Sequence, residues 1–139
     1  MSLLTPNLAI AGALLVCLGA MHIALPAAFG WRRELASASQ LNREVSYVHC
    51  FFIGLACVLW GLLPLCAEGQ LLRPGHVTRL VLIGAIAFWG SRLIIQLAVF
   101  NRHARESAAW LILSAAGTVL WLYLTAVWTL ALIVQSSPK

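Results

Sequence analysis

Charge is what this sequence has least of. Only 9% of its 139 residues are Asp, Glu, Lys or Arg, and aspartate is absent altogether. An ordinary globular chain carries roughly 25% charged residues. A soluble domain of this length must cover its core with polar surface, and nine basic and four acidic side chains cannot do so. The shortage excludes a soluble enzyme, a disordered tail and a nucleic-acid reader. Cys17, Cys50, Cys57 and Cys66 form no C-x-x-C pair. All four fall in apolar runs, which excludes a disulfide-stapled secreted domain and reads as small buried hydrophobes. Also missing are G-x-S-x-G, H-E-x-x-H, a carboxylate pair and a Gly-rich phosphate loop, so the reading leans away from an enzyme.

What the chain does have is apolar length. Hydrophobic residues make up 62% of it. Four stretches, at 8–29, 45–66, 77–100 and 108–134, each exceed the roughly 20 residues needed to cross a bilayer core. In hydrocarbon every backbone polar group must be satisfied within its own segment, so each stretch is expected to be a helix. The predicted fold is all-α: a polytopic membrane protein whose residues 1–139 form a single domain, four transmembrane helices in one antiparallel bundle. The first stretch resembles a secretory signal in its apolarity. No Lys or Arg precedes it and His22 lies deep within it, so it is expected to be retained. The fourth is longer than needed and is expected to tilt or to emerge at Gln135-Ser136-Ser137.

The connectors carry the charge. Residues 30–44 read GWRRELASASQLNRE, with Trp31 and Leu35 on one face, which predicts a short helix lying in the interface. Residues 67–76 read as a turn around Gly69, Pro74 and Gly75. Residues 101–107 are tight, so the third and fourth helices should be antiparallel neighbours. Arg32, Arg33, Arg43, Arg102 and Arg105 fall in the first and third connectors; Arg73, Arg79 and Lys139 fall on the other side. The excess predicts those two connectors in the cytoplasm and both termini outside.

Ionisable residues inside a bilayer are costly and mark function by default. His22, His49 and Arg92 lie within the apolar stretches, ~6–12 Å from the helix ends at about 1.5 Å per residue, all in the leaflet that faces the first and third connectors. Trp89, Arg92 and Gln96 share a stripe, and so do Ser114, Thr118, Trp121 and Thr125. Gly12, Gly19 and Pro26 repeat every seven residues, a spacing that lets a neighbouring helix approach closely. His22, His49, Trp89, Arg92 and Gln96 are therefore the candidate ligand-binding residues.

Three uses of such a cluster stay open. His22 and His49 could ligate a haem iron or another metal through neutral imidazole nitrogens. The Arg92 fork suits a phosphate or carboxylate, as in a lipid head group, while His and Gln suit a quinone oxygen. Or the polar groups simply fix helix register across a bundle. The leading expectation is an accessory or assembly subunit of an inner-membrane complex, with lipid and other membrane subunits or further copies of itself as partners. The alternative is an intramembrane binding protein for a quinone, lipid head group or haem.

From His22 to Phe52 the chain reads H-x3-P-x2-F-x-W-R-x-E-L-x5-L-N-R-x3-Y-V-H-x2-F. With the W-x2-R-x3-Q at Trp89, Arg92 and Gln96 and the run Tyr123-Leu124-Thr125-Ala126-Val127, it resembles a group of small four-helix bacterial membrane proteins. That resemblance covers most of the chain. It implies four helices and a bacterial inner membrane, and it transfers no catalytic residue. The Arg/Asn/Glu helix pattern of glutathione-linked four-helix membrane enzymes is absent.

Overall fold

The computed structural model describes residues 3–105 and 107–137, and all regular structure among them is helical. The chain runs through α1 (Leu4–Ala28), α2 (Trp31–Glu34), α3 (Gln40–Cys66), α4 (Glu68–Leu71), α5 (His76–Ala98), a 3-10 turn (Phe100–Arg105) and α6 (Ala108–Ser136). Leu4–Ala28, Gln40–Cys66, His76–Arg102 and Ala108–Ser136 are each long and apolar enough to cross a membrane. The all-α, four-span architecture is the one expected.

The helix limits differ from the apolar limits because polar residues cap them. Pro6 sits in the first turn of α1, where a missing N–H costs nothing, so the helix begins at Leu4 rather than near residue 8. Ser39 caps α3 by accepting from the Asn42 N–H at 3.3 Å, so α3 starts five residues before its apolar run. The first connector shrinks to residues 29–39. Gly30 closes the end of α1 at φ 60°, a left-handed conformation that favours glycine. The expected interfacial helix is the single turn α2, with Trp31 and Leu35 half-buried. A second turn of helix, α4, occupies the second connector and buries Leu71. Ser107 caps α6 by accepting from the Trp110 N–H at 3.2 Å. At the far end of α6 the Gln135 amide is buried and donates to the carbonyls of Arg73 at 3.1 Å and Gly75 at 3.3 Å. Of the four cysteines, Cys50 and Cys57 are buried, but Cys17 and Cys66 are exposed. The reading of all four as buried is thus corrected: on a span, an apolar residue has lipid as an equally good environment.

The backbone groups into two compact units. One is Ala9–Ala67, an antiparallel hairpin of α1 and α3. Its seam is backbone against backbone. A Cβ at Gly12 would lie 2.7 Å from the Gly61 carbonyl oxygen, and one at Gly19 would lie 2.6 Å from that of Gly54. No residue larger than glycine fits there without moving main chain. The buried face of α3 is Cys50, Gly54, Cys57, Gly61 and Pro64, a 4-3-4-3 stripe. The close approach anticipated at Gly12 and Gly19 is present. The other unit is Glu68–Lys139 with Met1–Leu8, in their described parts, and it is dominated by α5 against α6 and the 3-10 turn.

Candidate functional site

In the α5–α6 unit the polar residues of three elements meet. Arg92 extends along α5 towards its C-terminal end. Its guanidinium lies over the Trp121 ring at 4.7 Å and the Phe100 ring at 4.8 Å, and its Nη1 donates to Gln96 Oε1 at 3.4 Å. Behind it the indoles of Trp89 and Trp121 stack, with centroids 5.6 Å apart and planes at 7°. Both rings are buried, and neither indole Nε1–H has a hydrogen-bond acceptor among the described residues.

Gln96 joins this aromatic layer to a hydroxyl layer. It is buried, and its Nε2 donates to Asn101 Oδ1 at 3.2 Å and to the Ser114 carbonyl and hydroxyl, each at 3.4 Å. The Asn101 Oδ1 is a hub: the Ser114 hydroxyl donates to it, and the Thr118 hydroxyl, which lies 2.9 Å from the Ser114 carbonyl, reaches it at 3.4 Å as an alternative acceptor. Gly117 leaves room for the glutamine, whose Oε1 would be 3.2 Å from a Cβ there. Asn101, Ser114 and Thr118 also line an open groove of about 420 Å³ with Leu111, Ala115 and Val119.

Magnitudes explain how a guanidinium persists here. Arg at the centre of a span costs about 2.5–3.5 kcal/mol on insertion scales. A desolvated cation–π contact contributes about 2 kcal/mol. Two such contacts and a charge-assisted bond to Gln96 offset the cost.

Trp89, Arg92 and Gln96 are thus brought together, as the stripe implied. His22 and His49 belong to the α1–α3 hairpin. His22 is half-buried, with its Cβ against Gly54, and its carbonyl accepts from the Cys50 thiol at 3.4 Å. His49 is exposed. At about 100° per residue each lies near a quarter turn from the glycine seam, and the antiparallel sense places both on the same flank of the hairpin. The Nδ1 of His22 lies 2.7 Å from the Leu18 carbonyl and that of His49 2.9 Å from the Val45 carbonyl. A carbonyl only accepts, so each Nδ1 carries a proton, and it is the neutral form of each ring whose Nε2 presents a lone pair. Among the described residues no group of three His, Cys, Asp or Glu is placed to hold a metal ion.

Sequence reasoning missed Asn101, which was assigned to a connector; its signal was the polar Ser114 and Thr118 stripe that needed an acceptor opposite. It also missed Gly54 and Gly61, although they repeat at the same interval of seven as Gly12 and Gly19.

The class these features define is an integral membrane protein of four apolar helices. Set against known protein families, curated proteins and solved structures, the chain matches none.

Proposed function

We propose that the protein is an accessory or assembly subunit of a bacterial inner-membrane complex. The observation that carries this is Arg92. Arg92, within a span, is held by the chain's own Trp121, Phe100 and Gln96, which makes it a clamp between α5 and α6. The extramembrane parts support the same reading, since α2 and α4 are four residues each and build no soluble catalytic face. Function then works through apolar helix surface, on which Phe51, Ile94 and Ile112 are among the exposed large side chains. Extraction in a mild detergent followed by native electrophoresis tests this. A discrete assembly larger than the chain is expected, containing another subunit or further copies. A species of monomer mass in every mild detergent would refute it.

The proposed orientation has the first and third connectors in the cytoplasm and both termini outside, on the excess of arginine in those connectors. Of the residues counted, the Arg105 side chain and Lys139 lie outside the described residues, as does Glu106 of the third connector. Impermeant thiol labelling of a cysteine at Ser136, but not at Ser37, on intact cells is the expected pattern. The reverse would invert the topology.

A second reading is favoured by the unpaired indole N–H groups of Trp89 and Trp121, buried in the same unit as the groove lined by Asn101, Ser114 and Thr118. A flat, carbonyl-bearing amphiphile such as a quinone, entering from the bilayer, would offer acceptors to such donors, with Trp89, Arg92 and Gln96 as the binding residues. His22 and His49, with their Nε2 lone pairs, would be the ligands if a haem were held instead. Solvent extraction and an absorption spectrum of the purified protein separate these outcomes: quinone in the extract supports the first, a Soret band the second.

A further inference from the structure

A second polar site lies in the other unit, Ala9–Ala67. Where α2 meets the first two turns of α3, a groove of about 510 Å³ is lined by Trp31, Arg32, Gln40, Arg43, Glu44, Tyr47 and Val48. Its position is fixed by composition. α1 ends at Ala28, and the apolar run of α3 begins only at Val45, so the groove lies at the boundary between hydrocarbon and water. Trp31 and Tyr47 meet edge to face at 5.6 Å and 72°. Amphipathic aromatics of this kind sit at the head-group level of a bilayer. Gln40 Nε2 donates to Glu44 Oε1 at 2.8 Å, which fixes that carboxylate. Among the described residues Arg32 and Arg43 have no side-chain hydrogen bond or ion pair.

We propose that this groove binds the head group of a membrane phospholipid carrying both a phosphate and a primary ammonium, a phosphoethanolamine head group. The guanidinium forks of Arg32 and Arg43 match phosphate oxygens and supply charge-assisted bonds. Glu44 gives the groove its selectivity. A carboxylate beside two arginines repels a purely anionic head group but accepts hydrogen bonds from an ammonium. A trimethylated ammonium has no N–H to donate, and a glycerol head group has no cation. The acyl chains of such a lipid would follow the apolar surface of α3 beyond Val48.

The full-length protein in nanodiscs of mixed phosphatidylethanolamine, phosphatidylglycerol and phosphatidylcholine tests this by native mass spectrometry of retained lipid. The wild-type protein should retain phosphatidylethanolamine preferentially. Arg32→Gln with Arg43→Gln should lower that retention about tenfold, the scale of losing one charge-assisted contact. Both side chains are exposed, so the pair should fold; Arg32→Lys with Arg43→Lys keeps the charge, loses the forks and should also lower retention. Glu44→Gln still accepts from Gln40 and should preserve total phospholipid while abolishing the preference over phosphatidylglycerol. Wild-type retention in both arginine pairs, or an unchanged preference in Glu44→Gln, would overturn the proposal. Thermal protection by soluble phosphoethanolamine equal to that by the lipid would assign the groove to a free phosphomonoester and overturn the lipid assignment.

Discussion

The two hairpins solve one problem in opposite ways. In lipid, apolar side chains gain nothing by leaving the solvent, so helices associate through close packing or polar bonds. α1 and α3 use packing: Gly12 and Gly19 lie against Gly61 and Gly54, with no space for a Cβ. On α5 and α6 the glycines face side chains or open space, not main chain. A Cβ at Gly90 would meet only a Thr125 methyl at 3.8 Å, and one at Gly84 would meet nothing within 4 Å. Their space is filled by stacked Trp89 and Trp121, Arg92 and the Gln96–Asn101–Ser114–Thr118 network. Glycine seams tolerate no added volume. Side-chain networks tolerate volume but not the loss of a partner. The same substitution should therefore have different consequences in the two places.

The largest effect is expected at the seam. Gly61→Leu would drive a branched side chain into the Gly12 carbonyl at 2.6 Å and the Val16 N–H at 2.9 Å, and neither is a flexible side-chain end. Overpacking of this kind costs about 3 kcal/mol or more. Steric-trap or thermal unfolding in detergent should show the α1–α3 hairpin lost or strongly weakened. Gly84→Leu on α5 is the control and should leave stability within about 0.5 kcal/mol, as expected for an unencumbered surface position. Equal behaviour of the two variants would erase the distinction between the hairpins.

Next comes the clamp. Arg92→Leu removes a cation from between two aromatic rings and leaves Gln96 with one partner fewer. The lost contacts and the relieved burial of charge nearly cancel, so the net cost should be about 1 kcal/mol. Trp121→Leu is the sharper probe. It deletes a ring under the guanidinium and half of the stacked pair while the charge stays in the span, and should cost about 3 kcal/mol. If Arg92→Leu proved far more damaging than Trp121→Leu, the arginine would be serving something other than the α5–α6 contact, and the ligand reading would gain.

The hub is third. Asn101→Leu removes the acceptor shared by Gln96, Ser114 and Thr118. Gln96 and Thr118 keep the Ser114 carbonyl, so only part of the network is orphaned. Interhelical hydrogen bonds in membranes contribute about 0.6–2 kcal/mol, and a loss of about 1.5 kcal/mol by unfolding in detergent is expected. No change would mean that lipid or water already serves these groups.

How much of this could be read in the sequence depended on period. Four spans follow from apolar length, and helix was the only conformation available to them. The Trp89–Arg92–Gln96 stripe is local, so spacing of three and four residues along one helix found it. Gly12 and Gly19 were legible for the same reason. Their partners Gly54 and Gly61 and the acceptor Asn101 were not, because each belongs to a pairing between segments distant in sequence. The limits of α3 and α6 were obscured by hydropathy: Ser39 and Gln135 are polar, yet the first caps a helix and the second binds the Arg73 and Gly75 carbonyls.

The smallest effect concerns how the first turn of the chain is tied to α6. Tyr123 donates its hydroxyl hydrogen to Asn7, whose side-chain Oδ1 lies 3.0 Å away and whose carbonyl lies 3.2 Å away. Asn7 in turn donates its Nδ2–H to the Leu3 carbonyl at 2.7 Å, so one amide closes the exposed start of α1 and accepts from α6. Tyr123→Phe removes only the oxygen and keeps the ring. Global stability should fall by about 0.6 kcal/mol, the average for a hydrogen bond between membrane helices. The informative readout is local. Hydrogen exchange at Leu8, a fully buried residue next to Asn7, should accelerate, while exchange at Leu124 beside the mutated residue should not. Acceleration at both sites would mean that the hydroxyl holds α6 itself. Acceleration at neither would mean that packing of Leu4 and Leu8 fixes the first turn without it.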